Sequence, residues 1–272
     1  MTALCFVLRG EPDQRLDLSP LVPHRLAGLV QGEIERLPLG TTKRAPVAVG
    51  DAFRVRMGDP AEAVAIEGGS SRLDGVGEGM ALGVVILEGD AGLLAGRAMR
   101  GGRLEVRGGA GHWAASGMQG GELVVAGDCG DFLGGPLAGE VEGMAGGSVV
   151  VRGNAGARAG DRLRRGVIAI EGRTGDHLAS RMIAGTVIAC GGAGVLPGSL
   201  MRRGTVLIGG EPPVLAPTFI PLAEAAGGVF RALLARTLRP LSPAATRLAA
   251  VPHRRFAGDT ASLGKGEILL AP

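Results

Sequence analysis

Four histidines, three cysteines and 26 acidic residues are what this 272-residue sequence offers for metal, nucleophilic or acid–base chemistry. His24, His112, His177 and His253 lie in different regions, with no His-x-His or His-x-x-x-His pair to set two imidazoles on one metal ion. Cys5, Cys129 and Cys190 have neither the number nor the spacing of a disulfide framework, a zinc site or an iron–sulfur site. Asp90, Asp128 and Asn154 share one register of a repeat described below. Stacked acids suit Ca²⁺ or polysaccharide-lyase chemistry, but each of these follows a glycine in a Gly-Asp-x-Gly or Gly-Asn-x-Gly turn, where a short polar side chain bonds local backbone. No catalytic residue and no metal ligand is expected in this chain.

The arginines carry more. Arg162, Arg164, Arg165, Arg181, Arg202 and Arg203 all fall within two residues of a recurring Met or Leu. Stacked repeats about 5 Å apart would line them along one edge, and guanidinium groups bind carboxylates and phosphates bidentately. Arg164, Arg165, Arg202 and Arg203 are therefore the candidate contacts for an acidic ligand or acidic partner; a solvated ridge that keeps the edge from sticking explains the same residues. Trp113, the only tryptophan, follows His112 at a turn and reads either as a partner contact or as edge packing.

The elements that would position these groups come from the repeat itself. Its anchors are Met80, Met99, Met118, Met144, Leu163, Met182 and Met201; five of the six steps are 19 residues and the exception, Met118 to Met144, is 26. Glycine recurs three and nine residues past each anchor, as in Gly83 and Gly89, and position sixteen past the first six anchors is Gly or Ala. Between the glycines, positions five and seven are aliphatic, from Val85 and Leu87 to Val206 and Ile208, a period-two alternation. Nineteen residues at strand rise trace a loop of about 60 Å. The pattern predicts a mainly β protein, a right-handed parallel β-helix of 19-residue coils with two or three faces. A narrow bore also accounts for the absence of Tyr and for only six Phe.

Three regions follow: residues 1–57, strand-rich with a short helix near Leu21 to Leu29 begun by Ser19 and Pro20; residues 58–210, the solenoid, with Cys129 as a small core residue; and residues 211–272, with a helix from about Leu222 to Leu238. That helix places Leu222, Ala226, Val229, Phe230, Leu233 and Leu234 on one apolar side. The outward strand position, six past the anchor, reads Ile86, Glu105, Val124, Val150, Ala169, Ile188 and Leu207, too apolar for a solvent face. The chain's own terminal segments or a partner protein would cover it. Seven extra residues, Pro136 to Glu142, must protrude from the third coil, either onto a binding face or as a loop of no consequence.

Composition excludes other classes. The net charge is only +3, with no aromatic stacking set and no basic arm, so nucleic acid is not an expected partner. No run reaches the length of a membrane span. Met1 to Arg9 lacks a basic leader and a small-residue cleavage site and reads as a first strand; a cytoplasmic location is expected.

The Gly-x-x-Gly-x-x-x-Gly pattern, present as Gly89/Gly92/Gly96, Gly127/Gly130/Gly134, Gly153/Gly156/Gly160 and Gly191/Gly194/Gly198, resembles the β-helix shared by the glutamate synthase large subunit and the C subunit of formylmethanofuran dehydrogenase. The flanks distinguish the two. Leu37-Pro38-Leu39-Gly40 followed by Val49-Gly50-Asp51-Ala52-Phe53-Arg54-Val55, and the tail Gly258-Asp259-Thr260 with Gly264-Lys265-Gly266-Glu267-Ile268-Leu269, are similar to the dehydrogenase family, and the resemblance covers nearly the whole chain.

That resemblance implies a noncatalytic scaffold. In archaea such a chain accompanies a tungsten or molybdenum dehydrogenase; in methylotrophic bacteria its relative belongs to the formyltransferase/hydrolase complex, which moves formyl from formyl-tetrahydromethanopterin to a methanofuran analogue and hydrolyses it to formate. The Arg-rich composition, with Lys43 and Lys265 the only lysines, goes with the bacterial branch. The implied partners are a zinc amidohydrolase-like subunit, a formyltransferase subunit and a subunit related to the tungsten/molybdenum chain. No cofactor is implied for this chain alone, but the analogue's polyglutamate tail would give Arg164, Arg165, Arg202 and Arg203 an acidic ligand. The dehydrogenase's own C subunit and a glutamate-synthase-like structural module are the alternatives.

Overall fold

A computed structural model of the protein describes residues 3–42, 46–223 and 228–271. Its frame is a ladder of parallel strands, Val84–Glu88, Arg103–Val106, Glu122–Val125, Ser148–Val151, Val167–Ile170, Thr186–Ala189 and Arg203–Ile208, each paired with the next. The register matches the repeat: Leu104 pairs with Leu123, Leu123 with Val149, Val149 with Ile168 and Ile168 with Val187. A second face is thinner, with single bridges joining Ala91, Ala110, Cys129, Ala155 and Thr174. The coils thus stack as in a parallel β-helix.

The inward residues close the bore. All seven anchors are fully buried, as are Val85, Leu123, Val149, Ile168 and Val187, so side chains of similar volume stack in columns and exclude water. Backbones at the corners approach so closely that a Cβ on Gly111 would lie 2.6 Å from the Gly92 carbonyl oxygen. The same tightness forces Leu94, Trp113, Phe132, Arg158, His177 and Leu196, all fourteen past an anchor, to positive φ between 54° and 65°. Sequence reasoning misses this column because ordinary side chains occupy it.

Asp90, Asp128 and Asn154 do not serve their own turns as expected. Each Oδ1 accepts from the next coil, from Gly109, Asn154 and Arg173 backbone N–H groups at 2.7, 2.6 and 2.9 Å. Coils stacked about 4.8 Å apart bring the next backbone within reach of these short side chains, so they staple coil to coil.

One sheet runs across the boundaries at residues 57/58 and 210/211. Ala3–Leu8 lies parallel to Asp59–Glu67 and antiparallel to Phe53–Arg56, and Phe6 meets Phe53 edge to face at 6.2 Å. At the far end Lys265–Leu270 continues the ladder beside Arg203–Ile208. The N-terminal helix is a single turn, Pro23–Leu26, with Val22 as N-cap. Pro23, not Pro20, occupies its first turn because Leu21 N–H already closes onto the Leu18 carbonyl.

The C-terminal region departs further from expectation. The helix spans Gly228–Leu238, Leu222 belongs to the strand Ile220–Leu222, and Ala226 lies outside the described residues. A second helix, Pro243–Ala250, was not anticipated, although Ser242-Pro243 is an N-cap signal: Ser242 Oγ accepts from Ala245 N–H at 3.2 Å. Leu238, Ala245 and Ala249 pack on Ala169, Ile188, Leu207 and Leu269, with Leu234 and Ala235 beside them. The chain's own helical hairpin therefore covers the outward strip over the later coils, while Ile86, Glu105 and Val124 stay half-exposed. Of the expected apolar side Leu234 does pack on the sheet, half-buried beside Ala235 and buried Leu238, whereas Val229, Phe230 and Leu233 face outward because the second helix fixes the rotation.

His253 closes the hairpin. It is buried, and its Nε2 lies 2.9 Å from the Leu248 carbonyl oxygen, which makes Nε2 the protonated nitrogen and leaves buried Nδ1 without a partner. Burial, and secondarily Arg231, hold its pKa below the ordinary value, against the opposing Leu248 bond. The unfolded chain takes up the proton first, so stability is complete above about pH 6.5 and is lost as pH falls towards the lower folded pKa. Denaturant melts at pH 7.5 and 5.5 should show that loss, and His253→Gln should flatten it.

Candidate functional site

The insertion 136–142 is built into the surface rather than hanging free. Glu140 Oε2 accepts from Leu137 N–H at 2.9 Å, and its Oε1 accepts from Arg97 Nη2 at 2.8 Å. Arg97 also bonds Glu78 at 2.9 Å, one coil earlier. Arg162 Nη1 donates to the Glu140 carbonyl at 2.9 Å, and Arg164 Nη1 donates to both Glu142 oxygens at 2.5 and 2.6 Å. Arginines from coils on both sides of the loop, Arg97 before it and Arg162 and Arg164 after it, strap it across the column's edge.

A hollow opens on each side of the strap, and both share Arg162 and Arg181 in their walls. One, of about 300 Å³, is backed by Trp113 and Phe132, which stack at 5.7 Å and 16°. The other, of about 430 Å³, runs past Ile183 to Arg202 and Ser262. Arg181 is fixed by a two-pronged bond to buried Asp161 at 3.0 and 2.7 Å, and Ser180 Oγ donates to the same carboxylate at 2.5 Å. A guanidinium held this way is aimed in advance, so less side-chain freedom is lost on meeting an anion. The larger hollow has three arginines and no carboxylate in its lining.

The four arginines singled out in the sequence do not form one cluster. The 19-residue step puts Arg164 and Arg202 in one column with Ile183 between them, and Arg165 and Arg203 in the next with Ala184 between them. Arg203 stands beside Lys265 on the ladder. All four are exposed; Arg164 is occupied by Glu142, and Arg202 lines the larger hollow. Phe132 was missed, though its 19-residue distance from Trp113 was a readable signal.

His112 Nδ1 accepts from Asp131 N–H at 2.9 Å. Burial pushes the Cys129 thiol up to about 12 and the Cys190 thiol up to about 11, far from a thiolate at neutral pH. Among the described residues no three His, Cys, Asp or Glu side chains gather as metal ligands, and no helix is long and apolar enough to cross a membrane.

No protein-family model matches the chain. An 85-residue stretch is 42% identical to the C subunit of the formyltransferase/hydrolase complex Fhc of Methylorubrum extorquens, a match that spans 31% of each protein, so it covers about a third of that curated relative. The whole chain is similar to a chain in the crystal structure of the formyltransferase/hydrolase complex (FhcABCD) from Methylorubrum extorquens in complex with methylofuran. There the TM-score is 0.92 and the identity 40%, over 98% of this chain and 99% of that one.

Proposed function

The chain belongs to the family of the formyltransferase/hydrolase complex's C subunit, and from that premise we propose that it is the noncatalytic β-helical scaffold of such a complex. The complex would pass formyl from formyl-tetrahydromethanopterin to a methanofuran analogue and release it as formate, in one-carbon metabolism. The observation that carries this reading is the end-to-end match, which takes in the N-terminal cap and the C-terminal hairpin as well as the repeats. In this reading residues 1–57 cap the column, 58–210 form it, and 211–272 add a last strand to its ladder and cover its outer face. Catalysis would sit on a zinc amidohydrolase-like subunit and a formyltransferase subunit, with a chain related to the tungsten/molybdenum subunit beside them.

This chain's contribution to cofactor handling would be charge. Arg164, Arg165, Arg202 and Arg203, with Arg162 and Arg181 behind Arg202, would hold the acidic tail of the methanofuran analogue along the edge. The carboxylate-free lining of the larger hollow supports it. Replacing the four with glutamine in the assembled complex should lower retention of the tailed cofactor roughly tenfold at low salt, with the gap narrowing as salt rises. Retention measured by mass spectrometry of released cofactor and left unchanged would remove the tail from this edge.

A further inference from the structure

The helix Gly228–Leu238 is apolar well beyond the side that meets the sheet. Leu234, Ala235 and Leu238 face the sheet. Val229, Phe230 and Leu233, adjacent on a helical surface, are left 77%, 37% and 54% exposed. A helix covered on one side needs only one apolar stripe; a second stripe calls for a second cover.

The charge around that stripe says what the cover is. Residues 228–258 are rich in arginine and contain no aspartate or glutamate. Arg255 is taken by Glu267 at 2.8 Å, whereas Arg236 and Arg239 are exposed and have no carboxylate partner among the described residues. A second copy of this chain would set arginine against arginine across a two-fold contact, which like-charge repulsion opposes. We propose that this outward side is a docking face for an acidic-rimmed apolar surface on another subunit of the complex. The inference rests on the scaffold reading and adds where the scaffold is gripped. The three apolar side chains form the dry centre, and Arg236 and Arg239 form the rim that orients the encounter.

The test is purification of the complex from cells co-expressing a tagged copy of this chain with the other three subunits. Val229→Ser/Phe230→Ser/Leu233→Ser and, separately, Arg236→Glu/Arg239→Glu should each weaken capture of at least one subunit about tenfold or more. Melting of the isolated Arg236→Glu/Arg239→Glu variant should match the parent, and that of the apolar variant should fall by only a few degrees, since Phe230 alone among the changed groups is mostly covered. A parent chain that captures no subunit overturns both the scaffold reading and this face. A parent that assembles beside variants that assemble equally well overturns the face alone. So does a result in which the variants lose only self-association or only binding to anionic lipid vesicles.

Discussion

Gly121→Val is expected to cost about 3 kcal/mol or more and to lower the melting temperature by roughly 10 °C. Gly121 sits at φ 86°, and a Cβ there would lie 2.7 Å from the Gly102 carbonyl oxygen and 2.8 Å from the Gly101 carbonyl carbon. Both obstacles are backbone of the preceding coil, which is held by the ladder and cannot rotate away. A β-branched residue at positive φ adds about 1–2 kcal/mol of local strain. Gly139 provides the control: its φ is 88°, but nothing lies within 4 Å of its Cβ position. Gly139→Val should therefore show the φ cost alone. Denaturant unfolding of both variants checks this, and equal losses would mean that stacking distance does not limit the corners. Because each coil contacts only its neighbours, hydrogen exchange in Gly121→Val should rise most in the coils on either side.

Ile188→Asp should detach the helical hairpin and leave the column standing. Ile188 is fully buried between the sheet and a cover formed by Leu238, Ala245 and Ala249. A carboxylate placed in this apolar cluster is stranded, and stranding a buried charge costs about 3–5 kcal/mol. The ladder hydrogen bonds run elsewhere, since Thr186–Ala189 pairs with strands on both flanks through backbone. The hairpin's polar pin to the sheet, Ser242 Oγ to Glu171 Oε1 at 2.6 Å, is too little to hold it alone. Limited trypsin digestion should then cut within 231–247 while the repeats remain intact. Val124→Asp, at the same register on the half-exposed part of the strip, should change little. A hairpin that stays protected in Ile188→Asp would mean that the covered strip is not what secures it.

The column was legible because its constraints repeat: buried anchors, corner glycines and alternating aliphatics recur at one spacing, and each copy confirms the others. The hairpin was harder to read. Its first helix carries apolar residues around most of its circumference, and from Val229, Phe230 and Leu233 alone nothing indicates which side a second, unrecognised helix will claim. The site was read in part. The arginines near the anchors were visible, but their division into columns depends on coil-to-coil register. The roles of Arg97, Arg162 and Arg164 depend on where the insertion folds back, and no local pattern records a contact such as Arg97 with Glu140, 43 residues away. The coil-to-coil staples of Asp90 and Asp128 escaped for the same reason.

The claim that this chain organises chemistry done elsewhere is tested most directly by following formate release from formyl-tetrahydromethanopterin and the methanofuran analogue in three samples: this chain alone, the other three subunits without it, and all four together. No turnover is expected from the isolated chain, and the full rate only when it joins the others. Formate released by the isolated, homogeneous chain would contradict it.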